Sequence, residues 1–327
     1  MLGQLTQFIA NIFRFHKLKI LVVLVVAIVF LIVLLPTKDI SDYASEEAGR
    51  LLGVYTRMDD LSFSLFPPGI RTKNLVVEAA DFPPLTTNTV DISGSLMNAL
   101  ALKMGVTADA SGLFGGDVII DFQDGDKLKS GERMKMLRLQ AQNMNLNEFS
   151  DFLRAGNIVP LTMQGSLKLK SDLHLDPLFN QQPAGSVAAE VSSFVLPSQT
   201  VPTQMGPMQT PPLQLGKIVL LMKMNEGQID IQEMTFGGPK DGLSGKIKGQ
   251  FGIALRRDAG GVHSMPGAYD VSIDMTVLKS FSEADAKTGV DLMLSLLKDY
   301  KQELPNSTRY VFRLKPGPGG IPTPQRM

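Results

Sequence analysis

The feature that most constrains this chain is a side-chain alternation of period two. In "GSLKLKSDLHLD" the residues Leu167, Leu169, Leu173 and Leu175 share one side, while Lys168, Lys170, Asp172 and His174 share the other. "AYDVSIDMTVL" sets Tyr269, Val271, Ile273, Met275 and Val277 against Asp270, Ser272, Asp274 and Thr276. "GKIKGQFGIAL" aligns Ile247, Phe251, Ile253 and Leu255, and "RYVFRLK" aligns Tyr310, Phe312 and Leu314. Successive side chains of a strand point to opposite faces. Strict alternation therefore specifies strands with one apolar and one wet face, as in antiparallel sheets.

About a dozen such runs lie between residues 54 and 315. "GKIVLLMKM" and "GQIDIQEMTF" are joined by Asn225-Glu226-Gly227, a hairpin connection. Helical windows are few: 39–53, 95–103, 146–155 and 281–299. In the first, Asp39 or Ser41 is expected to cap the helix and Gly53 to end it. Short helices cannot cover the apolar side of so many strands, and a bare face of that size is not tolerated in water. The sheet is expected to curl on itself, to pack as two layers, or to hold something apolar in a groove. The expected fold is mainly β, a large curved antiparallel sheet with a few short helices, preceded by a transmembrane helix.

That helix is expected over residues 18–36. Ile20 to Leu35 is sixteen residues without a polar side chain, and Leu18 extends the run by a turn. Leu18, Ile20, Leu24, Phe30 and Leu35 mark the anchor. At about −0.3 to −0.6 kcal/mol per central Leu, Ile, Val or Phe, such a run favours insertion by roughly 5–10 kcal/mol. Lys19 snorkels to the headgroups. Arg14, Lys17 and Lys19 precede the run, and Asp39, Asp42, Glu46 and Glu47 follow it. The bias puts residues 1–17 in the cytoplasm and the remainder outside. A cleaved signal peptide is the alternative, but Pro36-Thr37-Lys38-Asp39 offers no small-x-small site close to the run.

Composition narrows the chemistry. Of 327 residues, Lys+Arg and Asp+Glu are each 32, so there is no basic excess to draw nucleic acid. There is no Cys, which excludes disulfides, thiolate catalysis and Cys-ligated zinc. His16, His174 and His263 have no metal-ligand spacing. "GLSGKIKG" fails the phosphate-loop spacing, since Ile247 follows Gly245-Lys246. Asp121, Asp124 and Asp126 have a faint calcium-loop character without the required downstream Glu. Asn306-Ser307-Thr308 is a glycosylation sequon only in a eukaryotic secretory setting. No catalytic motif, cofactor or metal site is expected.

The region 37–196 reads as one β region and 215–315 as its continuation or a second subdomain. Between them, 197–214 is Pro-rich: "PSQTVPTQMGPMQTPP" holds five prolines and reads as an extended surface loop and a boundary. Residues 316–327, "PGPGGIPTPQRM", read as a disordered tail.

The anchor, the short helix and "SFSLFPPGIRTKNLVVEA" (62–79) resemble the start of AsmA-like bacterial envelope proteins, in which a proline corner returns the first strand. Pro67 and Pro68 are expected to end a strand, and Gly69 to take a positive φ. "ASGLFGGDVIIDF", with Gly115 and Gly116, resembles the Gly-Gly strand turn of the same group. "PPLQLGKIVLLMKMNEGQIDIQEMTFGGPKDGLSGKIKGQFGIAL" (211–255) resembles a narrower family, the type II secretion system protein N, in a Leu-Gly turn at Gly216 and a stretch with Asp241, Gly242, Gly245 and Gly249. These glycines are expected at a tight turn, a bulge or a close backbone approach. The resemblance implies a non-enzymatic, inner-membrane-anchored periplasmic component of that secretion system, with secretion or envelope proteins and inner-membrane lipids as partners. Exposed strand edges would offer partners strand addition. The broader group implies an alternative, lipid binding or transfer with acyl chains in an apolar groove.

Overall fold

A computed structural model describes residues 37–79, 82–156, 159–203, 206–210, 212–258, 261–284, 294–295, 297–316 and 322–327. The expected anchor and the cytoplasmic segment before it lie outside these residues. Among the described residues no helix is long and apolar enough to cross a membrane.

The described chain begins with helix α1 (Thr37–Leu52), then β1 (Tyr55–Arg57), β2 (Asp60–Leu65), β3 (Pro68–Ala79) and β4 (Phe82–Gly94). After α2 (Leu96–Leu100) come β5 (Gly105–Leu113), β6 (Gly116–Lys127) and β7 (Arg133–Asn145). Helix α3 (Leu146–Ala155) leads to β8 (Gln164–Leu175), β9 (Ala184–Leu196), β10 (Gln199–Thr203) and β11 (Gly206–Thr210). β12 (Leu213–Asn225), β13 (Gln228–Phe236), β14 (Leu243–Asp258) and β15 (Gly261–Leu278) follow. The chain closes with α4 (Lys279–Ala284), a 3-10 turn (Lys298–Tyr300), β16 (Lys301–Glu303), β17 (Ser307–Pro316) and β18 (Pro322–Gln325).

Sixteen strands form a single antiparallel sheet, and β10 and β11 form a separate ribbon. From β3 to β9, and again from β12 to β15, each strand pairs with the next in sequence. Two tight turns follow from local sequence. Glu226 (φ 49°) and Gly227 (φ 80°) join Asn225 to its partner Gln228, and Phe114 (φ 50°) and Gly115 (φ 69°) join Leu113 to Gly116. Two central residues with positive φ match the right-handed twist of the flanking strands.

The two-layer arrangement is not adopted: among the described residues no second sheet packs on the first. Of the two arrangements expected for 215–315, the structure shows the continuation of the first β region. β9 pairs directly with β12 across the Pro-rich segment, so both β regions share one sheet. The segment itself is a hairpin, with Pro202 opposite Pro207. Prolines are tolerated there because both strands of a two-stranded ribbon are edges. Gln199 fastens the hairpin to the body by exchanging hydrogen bonds with the backbone of Thr162, at 2.8 and 3.0 Å.

The tail also departs from expectation. Pro322–Gln325 is a strand on the outer edge of β17, with Tyr300 Oη donating to the Pro324 carbonyl at 2.8 Å. β16 occupies the other part of that edge, against Thr308–Tyr310. The opposite margin is built alike: β1 pairs Val76–Glu78 and β2 pairs Pro68–Lys73, both on β3. Each margin is thus a short, interrupted strand. This blunts strand addition, as does the lack of N–H donors at Pro322 and Pro324.

The proline corner is a two-residue turn, Phe66-Pro67, between paired Leu65 and Pro68. Pro68 begins β3 rather than ending a strand, a position where its missing N–H costs little. Gly69 is not in the positive-φ region. Its requirement is space, because a Cβ there would lie 2.6 Å from the Ile92 carbonyl oxygen. Nor does Asp39 or Ser41 cap α1, which already runs at Thr37. Ser41 lies within it, fully buried, donating to the Asp59 carbonyl at 3.3 Å. Gly53 follows the helix with φ 68°, as its end requires.

Helix α3 is amphipathic and lies on the apolar side of the sheet, against β4, β7 and β8. The Asn145 side chain caps it by accepting from the Asn147 N–H at 3.0 Å. Phe152 stacks on Phe82 with centroids 4.8 Å apart, and Phe114 meets the edges of Phe149 and Phe152. Ser150, fully buried, accepts from the Met163 N–H at 3.0 Å and sits 3.2 Å from the Met163 carbonyl. Ser150→Ala is expected to cost about 1–3 kcal/mol, because a buried donor and acceptor lose their partner. Chemical denaturation measures the cost, and faster exchange of the Met163 amide locates it. Gly249→Ala is expected to cost more, since Gly249 has φ 151° and its Cβ would lie 2.2 Å from the Asp270 carbonyl oxygen.

Candidate functional site

The register of the sheet aligns its apolar residues into rows that cross nearly every strand. One row runs by direct pairing from Phe63 through Ile70, Ile92, Ala108 and Ile120 to Leu139. It continues through Ser171, Val187, Met222 and Ile231. It ends with Gly249, Val271 and Leu314. Directly opposed residues of antiparallel strands share a face. Only Ser171 and Gly249 interrupt the apolar character, and both are small. A parallel row passes from Leu61 and Val90 through Val118, Ala141 and Leu169 to Leu220, Met234, Ile247, Ile273 and Phe312. At a strand spacing of about 4.8 Å, such rows extend roughly 60 Å.

Among the described residues two lids lie at one end of the strands, the end at which β4, β8 and β12 begin, called the upper end below. There α3 completes a core with Val118, Ala141, Met144, Leu146 and Leu167. Phe281, Leu294, Leu297 and Tyr300 pack over Val277, Tyr310 and Phe312. Away from these lids part of the face is open: Phe63, Ile70, Ile92 and Ile120, all in one row, are 38–43% exposed, whereas Leu61, Val90 and Ile229 are buried.

The other face is charged. Arg309 binds Asp274 bidentately at 2.8 and 2.6 Å, and Arg313 grips both oxygens of Asp270. Arg138 lies between Asp121 (3.7 Å) and Asp172 (3.5 Å), Lys217 meets Glu190 (3.0 Å), and Arg71 Nε donates to Asp91 at 2.9 Å. Hydrogen bonds from Arg309 and Arg313 hold the Asp274 and Asp270 carboxyls below the usual carboxylate range. This face needs no cover, because its side chains remain hydrated.

Among the described residues one ion pair stands on the apolar face. Asp124 and Lys135 are directly paired across β6 and β7, with Nζ 2.5 Å from Oδ1. The Asp124 carboxylate is nearly buried, and it also accepts from the Met104 N–H at 2.9 Å. Lys135 Nζ lies 5.8 Å from the Phe122 ring centroid. The Lys135 hydrogen bond, then that of Met104, depresses the Asp124 pKa. The calcium-like trio is therefore dispersed: Asp124 is committed to Lys135, and Asp121 faces the charged side, accepting from Thr107 and Gln123 with Arg138 3.7 Å away. Among the described residues no cluster of three or more His, Asp or Glu could hold a metal ion. His174 sits 3.4 Å from Asp172 on the charged face, and His263 is in β15. His16 lies outside the described residues.

Of the positions singled out in 211–255, Gly216 lies inside β12 rather than at a turn, and there it meets Asp241. Asp241 Oδ2 accepts from the Gly216 N–H at 2.9 Å and the Gly238 N–H at 2.8 Å, tying the β13–β14 connection to β12. Gly242 packs against Phe281, and Gly245 faces Phe236 and the Asp274 carbonyl. The continuity of the apolar rows was not legible from single strands, because it depends on register.

Comparisons with family models, with curated proteins and with solved structures find no match.

Because the Asp124 pKa is lower folded than unfolded, its stabilisation is present above the unfolded value of about 3.9 and is lost as pH falls through the folded value. Lys135→Met is expected to destabilise the chain by about 1–3 kcal/mol at neutral pH by leaving a carboxylate short of a partner. It should also reduce the loss of stability below about pH 4. Denaturation titrations of both proteins between neutral and acid pH provide the check.

Proposed function

We propose that this chain is a non-enzymatic component of a bacterial type II protein secretion system, anchored in the inner membrane by residues 18–36 with its β region in the periplasm. The observation that carries this reading is the behaviour of the stretch resembling the secretion system protein N family. Its motif residues Gly216 and Asp241, far apart in sequence, meet in one hydrogen-bonded junction that holds β12, β13 and β14 as a unit. A rigid β platform on a membrane tether suits a part that positions other components. Deleting the gene is expected to lower secreted protein while outer-membrane permeability stays unchanged. A permeability defect with normal secretion would refute the reading.

A second reading is favoured by a different observation, the open apolar rows. A face of this extent, only half-buried at Phe63, Ile70, Ile92 and Ile120, suits acyl chains, as in lipid-binding or lipid-transfer proteins of the AsmA-like group. On this reading, full-length protein extracted in detergent carries phospholipid detectable by mass spectrometry. Ile70→Asp with Ile120→Asp should remove most of it. Gln140→Asp, on the charged face, should not. Equal lipid content in all three proteins counts against the apolar face as the site.

A further inference from the structure

We propose that the lower end of the first strands, formed by the Phe66 corner and the α2 loop, docks into the surface of a lipid bilayer. This rests on the reading of residues 18–36 as an anchor in that same bilayer. Phe66, Met97, Leu100 and Leu102 are 76–89% exposed, the largest apolar exposures in the described chain. The corner and the loop are neighbours, since Gly69 pairs with Ser93 and Gly94 with Val106.

The exposure is built in. The Ser95 N–H donates to the Gly105 carbonyl (2.9 Å), and the Lys103 N–H donates to the Asn98 carbonyl (2.8 Å). The Asp124 N–H donates to the Met104 carbonyl (2.8 Å). The loop backbone is thus fixed while its apolar side chains point outward. Val106, on the apolar face, continues the tip into the rows above it.

The geometry points to a membrane as the occupant. α1 runs antiparallel to β1 and β2: Gly49 accepts from Val54, Ser45 meets Thr56 and Met58, and Ser41 meets Asp59. The N-terminal end of α1 therefore points toward the tip. From the level of Ser41, four helical residues carry Thr37 about 6 Å that way. Six strand residues carry Leu65 about 20 Å. The tip thus projects roughly 14 Å beyond Thr37, and the sixteen-residue apolar run ends at Leu35, only two residues earlier. A tip at that level meets the headgroup and upper acyl region. Lys103, Lys127, Lys129 and Arg133 lie in this loop and the adjoining β6–β7 connection, with Asp126 and Glu132 among them. A basic excess beside exposed apolar residues is the composition of an interfacial binder of anionic lipid.

The absence of native Cys makes the test direct. Full-length single-Cys variants Phe66→Cys, Leu102→Cys, Leu304→Cys and Ala27→Cys are labelled with an environment-sensitive fluorophore. Each is reconstituted into phosphatidylethanolamine–phosphatidylglycerol vesicles containing spin-labelled lipid. Leu304, exposed at the upper end, is the aqueous reference. Labels at 66 and 102 are expected to be quenched at least about threefold more strongly than the label at 304. Labels at 66 and 102 as wet as that at 304, with 27 strongly quenched, overturn the docking and leave the anchor standing. An unquenched label at 27 removes the anchor reading; docking then survives only if 66 and 102 remain quenched. A blue-shifted label at 102 without lipid quenching means that protein covers the tip, and it overturns the proposal.

Discussion

Everything in this structure depends on the backbone ladder that keeps the apolar residues of neighbouring strands in phase from β2 to β17. Alternation along one strand produces two faces. Agreement of phase between strands turns those faces into continuous surfaces. The bulges show how the phase is kept. In β7 the extra residue falls at Gln142-Asn143, between Ala141 and Met144. In β13 it falls at Gln232-Glu233, between Ile231 and Met234. At both places polar residues take up the irregularity, and the apolar set resumes on its own side.

The two faces solve different problems. The charged face is laced by arginine–aspartate and lysine–glutamate pairs that stay hydrated, each contributing little to stability. At the upper end of the apolar face, α3 and the segment around Tyr300 form lids with aromatic contacts. The margins carry short split strands in place of long free edges. Among the described residues, a sheet so arranged protects its edges and leaves much of one broad surface open.

Much of this was legible in the chain. The alternation of Leu167–Leu175 and Tyr269–Val277 identified strands and their apolar sides, and Asn225-Glu226-Gly227 identified its turn. The phase slip in "IDIQEMTF" is visible in retrospect as the β13 bulge. Other features were hidden because they depend on distant partners. The tail pairs with β17 through a few edge hydrogen bonds that leave no periodic trace. The hairpin at Gln199–Thr210 was masked by prolines that an edge tolerates. Ser41 has a capping residue type, but its buried contact with Asp59 puts it inside α1. At the candidate site, residue types could be read from sequence, whereas the rows they form could not, since register comes from the pairing of whole strands.

The meander has one more consequence. Between β3 and β9, and between β12 and β15, each strand is held only by its immediate neighbours. A whole hairpin could therefore be gained or lost at a turn without changing any other pairing, and the platform would lengthen or shorten by about 10 Å each time. Reach is set by a count of repeated units, so a chain built this way can be fitted to the distance it must span by duplication alone.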